Sequence, residues 1–388
     1  KNTIEITQAW QRSNGYRENS KLDRKYVQVT DQFQYTDKGR LKLLLFYSNL
    51  HYQTPGGLTL QQWTDTPWSA RPGTATLPGA KEQKAAIYNS TFYGGISHEI
   101  KLNKKWSQLT ALFGSYTDFE NPFITNYEVR RENTLGARTW LQASNNQEGT
   151  ILVKFHLGAE ASTTNSDIKN YNNVFGQKGP VQKFDIIYNN QLFIFSHLMF
   201  DFYNKWLLEG GLSLNVNQYS FYTTQPSETP KGKRSFVPQL MPKIAASYRI
   251  APLVALRGSV SKGYSPPALA EIRSSNNIIN NELQPENGWN YETGLRFRTH
   301  NNLVWWDVSV FYYLLNDAIV RRVNEAEQEY FINAGGTKQA GLESQLMLQL
   351  MADRKTTFIR GLYLNNSLTY SDFKFNNYSI NTTDYSGN

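Results

Sequence analysis

The chain of 388 residues contains no cysteine. That removes a disulfide framework, a zinc-cysteine site and a thiol nucleophile, and it leaves the redox compartment open, because a chain without thiols tolerates either. Long apolar runs are missing as well. Clusters such as Leu43 to Phe46 are typical, and nothing approaches the ~18 residues that a membrane-crossing helix needs. A mean hydropathy of -0.56 ordinarily points to a soluble protein. The inference fails for a transmembrane β-barrel, whose strands alternate lipid-facing and lumen-facing residues and whose loops are polar. Lys1 comes first, with no start methionine and no basic, apolar and small-residue leader pattern, and Ser386-Gly387-Asn388 ends the chain in what reads as a polar loop. Both ends read as cut. The net charge of +8 is spread singly or in pairs and not massed on one tract, so nucleic acid is not an expected partner.

What the chain has in abundance is aromatic residues: 24 Tyr, 21 Phe and 9 Trp, 14% in all. Such a mixture favours strands and suits an interface where each ring has one apolar and one wet end. Strands are expected near 4–12, 23–36, 40–52, 84–100, 106–120, 127–144, 150–162, 184–200, 205–222, 235–250, 253–263, 288–299, 303–323, 329–350 and 357–372, about fifteen in all. The best of them alternate cleanly. Trp206, Leu208, Leu212, Leu214 and Val216 share one face, opposite Glu209, Ser213, Asn215 and Asn217. Ile151, Val153, Phe155, Leu157 and Ala159 oppose Lys154, His156 and Glu160, and the run from Val304 to Leu314 opposes Asp307 and Ser309. A charged second face repeated strand after strand means water or a polar filling on that side.

The connections alternate too. Short ones at Asp37 to Gly39, Asn103 to Lys105, Asn145 to Gly149, Phe202 to Asn204, Ala251 to Pro252, His300 to Asn302 and Ala352 to Lys355 fall at every second joint. The other joints are mostly longer, notably 53–83, 163–183, 223–234 and 264–287. Short turns on one side and long loops on the other are the layout of an outer-membrane barrel. A propeller or a sandwich does not separate its loops this way. The expected fold is therefore all-β: a transmembrane, antiparallel, up-and-down β-barrel formed by residues 1–388 as part of one domain. An odd strand count with both end strands rising outward marks it as partial, since complete bacterial barrels have even counts.

Two loops stand out. Residues 53–84 hold Thr54-Pro55-Gly56-Gly57-Leu58-Thr59, Trp63, Trp68 and Ala70-Arg71-Pro72, and a segment this long is functional or disordered. The stretch from Ser13 to Ser20 turns at Asn14-Gly15 and sets Arg17 beside Tyr16.

Between Lys262 and Glu343 three motifs follow in order: Gly263-Tyr264-Ser265-Pro266-Pro267-Ala268-Leu269-Ala270-Glu271, then Leu283-Gln284-Pro285-Glu286 with Tyr291-Glu292-Thr293-Gly294, then Asn333-Ala334-Gly335 with Gly341-Leu342-Glu343. Together they resemble the TonB-dependent receptors of Gram-negative outer membranes. Upstream, Gly15 to Ser20, Pro55 to Thr59, Ala70-Arg71-Pro72 and Ala80 to Ala85 resemble the branch that contains ferric-siderophore and ferric-citrate receptors. The resemblance implies 22 strands in an intact member, with this chain running from about the third to about the seventeenth. The N-terminal plug, the energy-coupling box and the closing strands would then lie outside it.

The resemblance further implies a monomeric barrel in outer-membrane lipid, active uptake of a ferric siderophore driven through the plug by the TonB energy-coupling complex, and no covalent chemistry. No cofactor is expected, with iron present only inside the transported chelate. The ligand would be met by loop aromatics and cations: Tyr16, Arg17, Trp63, Trp68, Arg71, Phe119 and Phe123, through ring faces and an Arg fork. These rings could instead belong to an interfacial girdle or pack their own loops. Pro266, Pro267, Glu271, Pro285, Glu286, Tyr291, Glu292, Gly294, Asn333, Gly335, Gly341 and Glu343 would be structural, with Glu286 and Glu292 satisfying arginines of the wall rather than acting as an acid-base pair. His51, His98, His156, His197 and His300 show no metal-ligand spacing. Haem receptors of the family carry different segments at Tyr264 to Pro267 and at Asn281 to Leu283. A glycan or vitamin importer on the same barrel stays open, as does a passive porin, against which the Pro-Glu and Tyr-Glu-Thr-Gly motifs argue.

Overall fold

The computed structural model describes residues 1–145, 151–324, 328–351, 358–380 and 382–387. Fifteen strands follow one another along a single antiparallel path: β1 (Asn2–Ser13), β2 (Leu22–Gln34), β3 (Gly39–Gln53), β4 (Ala86–Lys101), β5 (Trp106–Pro122), β6 (Asn126–Ser144), β7 (Ile151–Val174), β8 (Gln177–Phe202), β9 (Trp206–Gln225), β11 (Gln239–Ala251), β12 (Val254–Ser265), β13 (Glu286–Arg298), β14 (Val304–Asn316), β17 (Gly336–Met351) and β18 (Leu362–Asn376). A short β10 (Gly232–Ser235) folds back on β9 as the sixteenth strand of the sheet. Off the wall lie two short helices, α1 (Leu60–Asp65) and α2 (Leu269–Ile272), a hairpin of β15 (Ile319–Val323) and β16 (Glu329–Asn333), and a small pair of β19 (Ser379–Ile380) and β20 (Thr383–Asp384). Each of the fifteen expected segments corresponds to one strand of the wall.

Because opposed residues share a face, register assigns the two surfaces. Leu192, Ile194, Leu212, Leu214, Leu240, Val260, Tyr291 and Tyr312 lie on one side and are solvent-exposed apolar groups. A lipid-facing band explains them; a soluble sheet would not present such a row to water. At the short-turn rim this face carries rings: Trp206 stacks on Tyr248 at 4.1 Å, and Lys205 lies 5.4 Å from the Tyr248 ring. Aromatic groups there match the interfacial girdle of membrane barrels.

The opposite, lumen-side face is polar and cross-linked. Arg138 pairs with Glu160 across β6 and β7. Thr91 and Thr117 share a hydrogen bond at 3.1 Å, and Thr134 and Thr164 one at 2.9 Å. Arg257 of β12 reaches across β13 to Asp307 of β14 at 2.7 Å, and Arg296 meets the same carboxylate at 2.6 Å. Gly294 makes that crossing possible: a Cβ there would lie 3.0 Å from the Arg257 Nε and 2.7 Å from the Val308 carbonyl oxygen. A side chain at 294 would crowd the Val308 carbonyl and the guanidinium that spans it.

The hairpin of β7 and β8 differs from expectation. Instead of a loop at 163–183, the strands continue to a two-residue turn at Phe175-Gly176, whose φ values of 51° and 81° suit a tight hairpin. At 24 and 26 residues these strands extend about 80 Å, whereas ~9–11 residues span a bilayer. More than half of the hairpin therefore stands clear of the membrane on the long-connection side. Its run from Thr163 to Asn173 resembles a loop by composition, because apart from Ile168 and Tyr171 every residue in it is polar and the period-2 contrast is too weak to read. The expected strands at 303–323 and 329–350 break at Asp317, φ 56°, and at Gly335, φ 58°, and the chain between them leaves the wall as the β15–β16 hairpin. The long-connection rim also includes one tight joint, residues 123–125 between β5 and β6. The short connections expected at 145–149 and 352–355 lie largely or wholly outside the described residues.

Candidate functional site

The long-connection rim is held by two separate assemblies. In the first, residues 14–21 are fastened to residues 54–85. The Glu18 backbone N–H donates to the Trp68 carbonyl at 2.7 Å, and Lys81 Nζ meets the Glu18 carboxylate at 2.9 Å. That lysine hydrogen bond, helped by the Ala70 N–H, holds the Glu18 carboxyl below the usual carboxylate range. Asn19 Nδ2 donates to the carbonyls of Thr54 and Ala85. The four upstream motif segments thus meet in space.

A clasp extends this assembly to the neighbouring strand tips. Gln83, buried, donates through Nε2 to the carbonyls of Ile124 (2.9 Å) and Asn173 (3.2 Å), and its Oε1 accepts from the Phe175 N–H at 2.9 Å. Asn173 returns a hydrogen bond to the Gln83 carbonyl at 2.9 Å. Ala70, Ala80, Ala85 and Ile124 form a small apolar core beneath the clasp.

The second assembly lies on the lumen side of β7, β8 and β9. Residues 266–285 fold inward over it, and Ile272 and Leu283 pack against Ile168, Ile187, Tyr219 and Phe236. Tyr219 donates its hydroxyl to the Pro267 carbonyl at 2.8 Å. Arg273 Nε reaches Asp185 Oδ2 at 2.8 Å with both side chains fully buried, Thr223 donates to Asp185 Oδ1 at 2.7 Å, and Lys183 Nζ donates to the Asn277 carbonyl at 2.7 Å. This inward ledge continues into the β15–β16 hairpin. Asn333 Nδ2 donates to the carbonyls of Gln284 (2.9 Å) and Asp317 (2.6 Å), while its Oδ1 accepts from the Gln284 N–H at 2.7 Å.

The expected ligand residues divide between these assemblies. Tyr16, Trp63 and Trp68 sit on the first and project into solvent, 75%, 61% and 53% exposed. Arg17 is used in the loop itself, its Nε donating to the Ser69 carbonyl at 3.0 Å, and Arg71 reaches the Pro78 carbonyl at 3.4 Å. Phe123 lies beside the clasp, next to Ile124. Phe119 is apart from them on the lumen face of β5, with the Arg130 guanidinium 4.6 Å from its ring. The structure brings Tyr16, Arg17, Trp63, Trp68 and Arg71 onto one loop pair and leaves Phe119 on the wall.

Among the motif residues, Glu292 has its arginine, Arg257 at 3.9 Å, whereas Glu286 pairs with none among the described residues: its Oε1 accepts the Ile319 N–H at 2.7 Å and anchors the start of β15. Pro266 and Pro267 shape the descent of the ledge. Glu271 accepts the Ala268 N–H at 2.6 Å at the start of α2, and burial raises its carboxyl above the ordinary range. Pro285 precedes β13. Tyr291 faces lipid, paired with Tyr312. Gly335 takes the left-handed turn out of β16, where a Cβ would collide with the Asn377 carbonyl oxygen. The Phe311 ring covers Gly341, and Glu343 stands opposite Ser309 on the lumen face. Residues absent from the expected set include Asp185, Arg273 and Asn173. Gln83 lay inside the Ala80 to Ala85 motif and Arg273 two residues beyond Glu271, so proximity to motifs was the available signal.

A family model described as TonB dependent receptor-like, beta-barrel, matches residues 14–388. No curated protein matches the chain. Among solved structures the chain is similar to the ferric citrate transporter FecA in its unliganded form, with TM-score 0.77 and 13% identity over 96% of this chain and 55% of that one. It is also similar to the ferric-catecholate import receptor Fiu from E. coli K12, with TM-score 0.70 and 12% identity over 99% and 62%. A third is the siderophore receptor PiuA from Acinetobacter baumannii, with TM-score 0.70 and 12% identity over 98% and 61%. At these identities the likeness is one of fold, and the chain spans about 55 to 62% of the length of those structures.

Proposed function

The chain belongs to the TonB-dependent receptor-like β-barrel family, and from that premise we propose that it forms wall and outer loops of an outer-membrane active transporter for a ferric siderophore or similar iron chelate. The long-connection rim is then extracellular and the short turns periplasmic. Energy would come through the TonB coupling complex, and iron would be cargo inside the chelate with no resident cofactor. The wall's part is to hold groups still, since strands paired on both sides have little freedom.

The observation that carries the reading is the construction of the rim. Two buried clasps, one on Gln83 and Asn173 and one on Asp185 and Arg273, fix the outer loops around the lumen mouth while Tyr16, Trp63 and Trp68 remain exposed beside it. Ring faces on a rigid frame suit an aromatic chelate. The names of the similar structures, ferric citrate and ferric catecholate among them, point the same way.

The test is growth of a deletion strain under iron limitation with single ferric siderophores as iron source. Loss of growth on at least one, restored by the gene, supports the reading. Unchanged growth on all, with glycan or vitamin uptake lost instead, would replace it.

A further inference from the structure

On the lipid-side face, the cross-strand row of Val260, Tyr291 and Tyr312 continues to Ala340 and Asp372. Two residues nearer the long-connection rim, the next row of that face reads Lys262, Trp289, Leu314, Lys338 and Lys374, directly opposed on β12, β13, β14, β17 and β18. Along β17 the same face runs Leu348, Leu346, Ser344, Leu342, Ala340 and then Lys338. That stretch matches the ~9–11 residues with which a tilted strand crosses a bilayer, so Lys338 stands where hydrocarbon gives way to headgroups. Trp289 in the row is the amphipathic ring that suits such a boundary. Charge there does not balance. Lys338 is exposed, lies directly opposite Lys374 and has no acidic partner among the described residues. Lys374 Nζ meets the Asp372 carboxylate at 3.2 Å, and Lys262 Nζ donates to the neutral Gln239 Oε1 at 3.4 Å. Like charges directly opposite destabilise a strand pair, with Cβ atoms ~5 Å apart, so an anion held between Lys338 and Lys374 is favoured.

We propose that Lys338 and Lys374, with Lys262 further along the row, dock the phosphate-bearing headgroup of an outer-leaflet lipid whose acyl chains lie along the leucines of β17 and β18. Leu342 and Leu368 below and the two lysines above belong to one continuous face, so a molecule with chains at one end and phosphate at the other satisfies both. An ammonium on a flexible stem meets phosphate as a point charge and needs no planar partner. A free anion would meet the lysines and leave the leucines uncovered. The orientation adopted above enters only in deciding which leaflet supplies the lipid, and the docking itself does not depend on the cargo.

Native mass spectrometry of the complete receptor in a non-ionic detergent tests it, with bisphosphorylated lipid A as probe and the same lipid stripped of its phosphates as control. The parent should retain the phosphorylated form more tightly than the stripped one. Lys338→Gln should weaken that binding ~5-fold, and Lys338→Gln with Lys374→Gln ~25-fold, while the stripped lipid binds every variant alike. Lys154→Gln, on the lumen face, should leave both affinities unchanged, and each variant should keep the heat-modifiable gel shift of a folded barrel. Equal retention of the two lipids, unchanged affinity in the double variant, or an equal loss in Lys154→Gln overturns the proposal. So does a receptor dimer that the double variant abolishes while lipid binding stays, which assigns the row to a second copy of the chain. Failure on any of these counts leaves growth on ferric siderophores, and with it the iron reading, untouched.

Discussion

Arg273 and Asp185, 88 residues apart in the chain, meet at 2.8 Å in a site where neither side chain touches solvent. One belongs to a loop and the other to a strand standing outside the membrane band, so their contact ties residues 266–285 to the wall beside the apolar packing of Ile272 and Leu283. Breaking a buried pair by removing one partner leaves an uncompensated charge, and such losses cost about 3–5 kcal/mol.

Asp185→Asn should therefore loosen the ledge without unfolding the wall. Hydrogen exchange in residues 266–285 should accelerate strongly, while amides of β13 and β14 keep their protection. Equal protection in the ledge before and after substitution would show that the apolar packing of Ile272 and Leu283 holds it unaided.

The Gln83 clasp gives a second expectation. Gln83→Leu preserves bulk but leaves the carbonyls of Ile124 and Asn173 and the Phe175 N–H without their partner, at about 1–3 kcal/mol for each buried group left unpaired. Limited proteolysis should then cut within residues 54–85 at protease concentrations that leave the native loop intact.

Much of this architecture was legible beforehand, for reasons that particular residues make plain. Leu208, Leu212 and Leu214 against Glu209, Ser213 and Asn215 announce a strand between lipid and lumen, because the two solvents differ so much. Thr163 to Asn173 gave no such contrast, and the strand there went unseen. The candidate aromatics could be named from sequence, Trp63 and Trp68 from the length of their loop and Tyr16 from the turn that sets it beside Arg17. The clasps could not: Asp185 with Arg273, and Gln83 with Asn173, are long-range pairs with no local pattern, and Glu286 turned out to serve a backbone N–H in place of an arginine.

Ledge order should also respond to pH through Glu271. Burial raises its folded-state pKa, so the folded ledge binds the proton more tightly than the unfolded chain does. Its contribution is full below the ordinary glutamate range and is lost as pH rises through the raised value. Hydrogen exchange at α2 should therefore quicken across that rise, and Glu271→Gln should flatten the dependence; an identical pH profile in the variant would remove Glu271 as the cause.

Gly335→Ala places a side chain at a φ of 58° where its Cβ would strike the Asn377 carbonyl oxygen. The expected result is displacement of the β15–β16 hairpin from residues 376–378, seen as increased exchange there, with strand β17 unaffected. A variant indistinguishable from the parent would mean the turn relaxes locally.

The account's central claim is uptake of a ferric chelate through this barrel, and radiolabelled iron uptake measures it directly. Cells carrying the intact gene should accumulate iron from at least one ferric siderophore, and accumulation should cease when the gene is deleted or the proton-motive force is collapsed. Accumulation equal in deleted and intact cells for every ferric siderophore supplied would contradict the claim.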